Sequence, residues 1–484
     1  MTELVYKGAF ELGSAIARGD YSSREVLSAH IERVDRLNPT LNAIVAQNLG
    51  LAEERAKAAD EATGMGEVWG PLHGVPLTIK DSFEVVGMAT TSGSLSMADH
   101  KADSDAVAVA RLIDAGAIVY AKTNLPEWAD DLQSYNELFG TTVNPWDTTK
   151  TPGGSSGGSA ASVAAGFSSL ELGSDIGGSI RNPAAFCGVY GHKPSFGIVP
   201  MWGHIPGPPG MKSQADIAVA GPLARTANDL EKAMDLLAGP DPWEGPAWRV
   251  SIPAARAETL EELRIGVWFD SPLCPLSTGV RAVLESAVDE LIAVGANIDP
   301  SAHPDIDPAA TFFLYQQLMY GQAASGFPSQ VRREADARYD DLDSDDQSRH
   351  AMMLRGVGQR HRHWLAVNER RQRLRGEWDE WFENYDLLLT PVMPTTAFAH
   401  DHSPKKSRTI EIDGEAFDYW AQMYWAGLTG AVYLPSTIIP IGPASDGMPV
   451  GMQVIAPYLQ DRTALRFAEL VEPILGGFEA PPLS

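Results

Sequence analysis

Cysteine is scarce. Cys187 and Cys274 are the only two in 484 residues and lie far apart, which excludes a disulfide-stapled scaffold and fits a reducing, cytoplasmic setting. Positive charge is also short: 37 Lys and Arg face 63 Asp and Glu, a formal net charge of -26. Such a surface repels phosphate backbones, so nucleic acid is not expected as a partner. No stretch reaches the ~18 consecutive apolar residues of a membrane helix. The longest candidate, Ala431 to Ile441, is broken by Pro435, Ser436 and Thr437. Glu3, Lys7 and Glu11 interrupt the N-terminal apolar residues, so no secretory signal is read there.

The remaining composition is that of a large-cored protein, with 44% hydrophobic and 21% charged residues. The length allows about three ordinary domains or one large elaborated one. Ser22 and Glu25 stand in capping-box spacing before Leu27, Ile31 and Val34, predicting a helix that stops at Asn38-Pro39. A second helix is predicted from Leu51 to Ala62, and a strand from Val75 to Lys80, which puts Lys80 at a strand end. Ala106 to Ala115 reads as a helix capped by Gly116, and the wholly apolar Ala117 to Ala121 as a buried parallel strand. Strand and helix alternate again at Ile265 to Phe269, Val280 to Val294 and Leu387 to Leu389, so the fold class is α/β with a mixed sheet. From about residue 300 to 384 the pattern becomes polar helix. An acidic stretch, Asp336 to Asp346, and a basic one, Arg355 to Arg375, are read there as solvated faces. Three Gly and three Pro between Gly203 and Met211 predict an irregular segment, a candidate flap over an active site.

Two glycine- and serine-rich stretches demand a chemical reading: Gly153-Gly154-Ser155-Ser156-Gly157-Gly158-Ser159 and Gly173-Ser174-Asp175-Ile176-Gly177-Gly178-Ser179-Ile180-Arg181. Each runs straight into ordered-looking sequence, which argues against a flexible linker. Neither holds the lysine of a phosphate-binding loop, and no dinucleotide fingerprint is present. Consecutive glycines let backbone N–H groups approach a reacting atom, so Ser179 reads as a nucleophile beside the amides of Ile176, Gly177, Gly178 and itself. A serine needs a base, yet no Gly-x-Ser-x-Gly elbow appears, and His192 and His204 have no motif tying them to a carboxylate. His361 and His363, two apart on a helix, diverge, so no metal is expected.

Gly70-Pro71-Leu72-His73-Gly74-Val75-Pro76-Leu77-Thr78-Ile79-Lys80-Asp81, with both glycine-serine stretches, resembles the amidase signature family. The resemblance continues through Lys122-Thr123-Asn124, Asn144-Pro145-Trp146 and Gly188 to Pro194, and reappears at Gly451-Met452-Gln453-Val454-Ile455. It implies one large domain over 1–484, a catalytic core at 70–200 and a variable helical insertion at 300–384, with a central mixed sheet between helices. It further implies a Ser/Ser/Lys triad: Lys80 as base, Ser155 as bridging serine after a cis peptide, and Ser179 as nucleophile. Asp175, Arg181, Gly154 and Ser156 become supporting residues, and no cofactor is required. Two departures stand out: Ile176 replaces a usual threonine, and His192 a common leucine.

Substrates of that family include anilides, other amides, esters and aryl carbamates, and some members are the glutamine-hydrolysing components of tRNA-dependent amidotransferases. The apolar walls, Met201 to Met211, Phe312 to Met319, and Tyr419, Trp420, Tyr424 and Trp425, point to a hydrophobic, aryl-bearing amide or carbamate; separately, a monomer or homodimer is expected. The spacing of Trp420, Tyr424 and Trp425 fits a buried helix face equally well.

Overall fold

The computed structural model describes residues 4–483, so Glu3 lies outside them. Eleven strands make one mixed sheet. They are β1 Ile44–Gln47, β2 Pro76–Lys80, β3 Ile118–Thr123, β4 Leu170–Asp175, β5 Tyr190–Lys193, β6 Val219–Ala224, β7 Ile265–Val267, β8 Ile298–Asp299, β9 Leu387–Pro391, β10 Ser436–Pro443 and β11 Pro449–Ile455. Across the sheet they run β1, β3, β2, β4, β6, β5, β10, β11, β9, β7, β8. β3, β2 and β4 are parallel, as are β9, β7 and β8, while the strands between alternate in direction.

Both faces of the sheet are buried. Leu387 and Leu389 join one hydrophobic cluster and Leu388 another; Ile439 and Ile438 divide in the same way. Side chains alternate across a strand, so a sheet covered by helices on both faces demands apolar residues at successive positions. That is why these strands read as continuous apolar runs.

Several boundaries move. The capping box of Ser22 and Glu25 forms, but the helix runs Ser23–Leu41 through Pro39 and ends at Asn42, whose φ of 50° is left-handed. A proline near a helix end removes only one hydrogen bond, so the last turn survives it. The helix before β3 is Val107–Asp114, capped by Ala115 one residue before Gly116. The strand expected through Phe269 ends at Val267.

Residues 300–384 contain the helices Pro308–Ala323, Ser329–Arg338, Arg349–Val357 and His361–Trp381. Their charges are not all a solvated face. Arg371 is buried, with Nη1 2.8 and 2.9 Å from the two carboxylate oxygens of Asp216, and it fastens the longest of these helices to the segment leading into β6. Arg360 pairs with Asp340 at the surface, joining the basic stretch to the acidic one.

Candidate active site

Parallel strands bring their carboxyl ends together, and here the ends of β2 and β4 meet. Lys80 closes β2 and Asp175 closes β4. The loop Pro152–Ser156, ahead of the helix Gly157–Ala165, enters the same space. It can do so because Gly154 has no side chain: a Cβ there would lie 2.6 Å from the Gln133 nitrogen and 2.7 Å from the Asp131 oxygen. The Gly154–Ser155 peptide is cis.

Lys80 is fully buried, and its Nζ lies 2.7 Å from Ser155 Oγ, 2.9 Å from Ser156 Oγ and 3.0 Å from Ser174 Oγ. Three hydroxyls suit both states of the amine. An ammonium donates to all three; a neutral amine donates two and accepts from one hydroxyl. Burial lowers the Lys80 pKa to about 7, against the opposing pull of Asp175 and Glu171. Asp81, the simplest ion-pair partner by sequence, pairs instead with Lys122 at 3.2 Å.

Ser179 lies in the turn between β4 and the helix Arg181–Cys187. Asp175 gathers this turn, accepting the N–H of Gly178 at 2.9 Å, that of Ile180 at 3.0 Å, and Arg181 Nη2 at 2.8 Å. Burial alone would raise the Asp175 pKa, but Arg181 and the backbone donors hold it down at about 2. Arg181 in turn reaches Ala426 O, Thr429 Oγ1 and Gln453 Oε1 at 3.0, 2.6 and 2.9 Å, so the loop is tied to both the helix Tyr424–Ala431 and β11.

Of the four amides expected to form an anion-binding nest, that of Gly178 is committed to Asp175. Those of Ile176, Gly177 and Ser179 have no hydrogen-bond partner among the described residues. Three of the four donors are therefore free among the described residues, because the carboxylate that braces the turn consumes the fourth. The Ser179 hydroxyl is likewise without a partner among the described residues. Its loop is joined to the Ser155 loop through the backbone, by Ser156 N–H to Ser179 O at 3.1 Å, and through Gly154 N–H to Asn182 Oδ1 at 3.1 Å.

Sequence reasoning missed Ser174 and Asn182, which brace the site, and Glu171, buried beneath it. Glu171 accepts from Thr123 Oγ1 at 2.8 Å and from Thr78, and burial raises its pKa to about 7. A charged residue between Leu170 and Leu172 in a strand was the available signal for Glu171. Ser174, adjoining Asp175 at a strand end, carried only its position.

His192 and His204 are accounted for by other partners. His192 and Ser195 both bond Asp461, at 3.1 Å from Nε2 and 2.7 Å from Oγ, but the serine donates to the carboxylate and not to the imidazole, so no Ser/His/Asp relay exists there. His204 stacks edge-on against Phe83 at 4.7 Å, and burial, with Lys80 nearby, lowers its pKa to about 3. No group of His, Cys, Asp or Glu among the described residues is arranged to hold a metal ion, and no helix among them is long and apolar enough to cross a membrane.

One hydrophobic cluster adjoins the site on two sides. Leu132 belongs to it and follows the Asp131 carbonyl that presses on Gly154; Tyr315 and Met423 belong to it and flank Gly177. Phe312, Trp268, Tyr424 and Trp425 continue the wall. Trp420 departs from the expected helix face, sitting half-buried in the 3-10 turn Tyr419–Met423 ahead of the helix Tyr424–Ala431. The segment 203–211, expected as a candidate flap, is pinned near its start, where the Ile205 N–H donates to Ser82 O at 2.7 Å, and is exposed at its tip.

A buried lysine that loses its proton near neutrality, hydroxyls on that lysine, and a serine among free amides are the equipment of an acyl-transfer hydrolase. The family model described as Amidase matches residues 25–465, and the chain belongs to that family, the amidase signature hydrolases. It is 35% identical to the A-type component of the Thermus thermophilus glutamyl-tRNA(Gln) amidotransferase, with 95% of each chain covered. Among solved structures it resembles 6-aminohexanoate cyclic dimer hydrolase, at 26% identity and a TM-score of 0.78 over 99% of both chains. It also resembles a bacterial aryl acylamidase, at 25% identity and a TM-score of 0.78 over 97% of this chain and 96% of the other.

Proposed function

We propose that the protein is a stand-alone hydrolase of amides bearing apolar, aryl-containing groups, with aryl carbamates and esters as further substrates of the same chemistry. Neutral Lys80 accepts a proton from Ser155 as Ser155 takes one from Ser179. The Ser179 oxygen attacks the carbonyl carbon, and the oxyanion is met by the N–H groups of Ile176, Gly177 and Ser179. Collapse breaks the C–N bond, and the relay returns the proton to the leaving amine. Water then attacks the acyl-enzyme, giving its proton to the relay and releasing the acid and the free Ser179 hydroxyl.

The observation that carries the substrate class is the cluster of aromatic and aliphatic side chains in which Tyr315 and Met423 flank Gly177 and to which Leu132, beside Gly154, also belongs. The charged groups around it support the same reading, because they are already paired. Asp131 is neutralised by Arg408 at 2.6 Å and accepts from Tyr419 at 2.7 Å, and Asp216 is neutralised by Arg371. A zwitterionic amino acid would find these partners engaged, whereas an aryl or alkyl group finds apolar contact.

The relative from Thermus thermophilus carries the second reading, a glutamine-hydrolysing component of an amidotransferase. Purified protein assayed against acyl anilides, aryl carbamates, primary amides, esters and glutamine separates the two. Release of an aniline at rates far above glutamine turnover is expected; turnover of glutamine alone would refute the substrate class.

A further inference from the structure

The helix Pro308–Ala323 belongs to the variable insertion, yet one of its side chains reaches the nucleophile loop. Tyr315 is fully buried and its Oη donates to the carbonyl of Ile176 at 3.0 Å. That carbonyl and the Gly177 N–H belong to one peptide unit. In a planar trans peptide the C=O and the N–H point in opposite directions, so fixing one fixes the other. A donor on the carbonyl also polarises the amide and strengthens its N–H as a donor on the far side.

The loop supplies little restraint of its own there. Gly177 has no side chain, Gly178 takes a φ of 101°, and the Gly177 N–H has no partner among the described residues. Tyr315 also blocks the space a side chain at Gly177 would use, since a Cβ there would lie 2.9 Å from its Oη and 2.8 Å from Met423 Cε. The phenol ring itself is wedged against Gly427 and Gly430 and stacks with Phe312 at 6.1 Å. The same side chain thus touches the aromatic wall with its ring and the oxyanion loop with its hydroxyl.

We infer that Tyr315 is a positioning residue: its hydroxyl locks the Ile176–Gly177 peptide so that the Gly177 N–H stays directed at the developing oxyanion. It thereby couples the substrate-shaping helix to catalysis. This rests on the assignment of Ser179 as nucleophile and does not depend on which amide is the substrate.

Tyr315→Phe tests it by removing the hydroxyl and keeping the ring in its slot. The probe is a fluorophosphonate, whose phosphorus Ser179 attacks with loss of fluoride, so no amide preference enters. The expected result is labelling slower by about 10- to 100-fold. The thermal midpoint should stay within a few degrees of wild type, and the pH midpoint of labelling should be unshifted because Lys80 keeps its surroundings. On any anilide that is turned over, the loss should fall on kcat with KM little changed. Tyr315→Met, flexible and lacking the hydroxyl, is the second variant should the first fold poorly. Labelling of either folded variant at the wild-type rate overturns the inference. A wild type that turns over glutamine but no anilide, and still labels faster than the variant, leaves the inference standing while refuting the proposed substrate. A wild type that is not labelled at all removes both.

Discussion

The two halves of the site are built on opposite principles. The floor, made by β2, β4 and the glycine-serine loops, holds buried ionisable groups: Lys80, Glu171, Asp175 and Arg181 lie in contact with hydroxyls, amides and each other. The wall, made by the insertion and the helix Tyr424–Ala431, holds buried rings, with Phe312, Tyr315, Tyr424 and Trp425 within 4.9 to 6.1 Å of one another along the chain of contacts. Buried charge tolerates few substitutions, since each partner left alone costs several kcal/mol. Buried rings can be exchanged for others of similar volume at far smaller cost. Under the proposed function the floor is expected to govern whether the chemistry runs, and the wall on what.

The largest expected effect breaks the floor at its reacting atom. Ser179→Ala should lower kcat/KM on the order of 10⁴-fold or more on any turned-over substrate while leaving the melting temperature near wild type. Retention of turnover would move the nucleophile elsewhere. Next comes the brace. Arg181→Ala leaves Asp175 buried without its cation, and chemical denaturation should register a loss of ~3–5 kcal/mol together with collapse of activity. A loss under ~1 kcal/mol, the range of an exposed pair, would mean that this pair is not what holds the turn.

The wall should answer differently. Phe312→Ala should cut kcat/KM for aryl substrates by roughly 10- to 100-fold and that for small aliphatic amides much less. Equal losses on both would erase the division of labour between floor and wall. The smallest effect is electrostatic. The carboxylate of Glu171 favours the charged form of Lys80, so Glu171→Gln should move the rising limb of the pH–rate profile toward lower pH. A shift toward higher pH would show that Glu171 acts on the lysine in some other way.

The same contrast explains what could be read from the amino-acid sequence. That Lys80 and the two glycine-serine stretches come together was legible because the glycine positions are dictated: no side chain fits at Gly154, and Gly178 takes a φ of 101° in the turn before Ser179. The alternation of strands and helices was legible for a related reason, since a sheet buried on both faces leaves apolar runs such as Leu387 to Leu389. Tyr315 and Arg371 were not legible. Tyr315 lies 139 residues from Ile176, and Arg371 lies 155 residues from Asp216, inside a stretch whose other arginines are exposed or half-buried. Their partners are set by tertiary packing, for which local composition carries no signal. His192 had no account in sequence terms, and the reason is similar: its partners, Thr437 and Asp461, arrive from β10 and from the first turn of the final helix.

The central claim is that a neutral lysine activates one particular serine. The measurement that tests it most directly is the rate of fluorophosphonate labelling across the pH range around neutrality, with the adduct located by peptide mass spectrometry. The active form is the unprotonated amine, so the rate should rise about tenfold per pH unit at the acid end, bend near pH 7 where Lys80 titrates, and level off above it, with the adduct on Ser179 alone. A rate indifferent to pH, or an adduct on any other residue, would contradict the account.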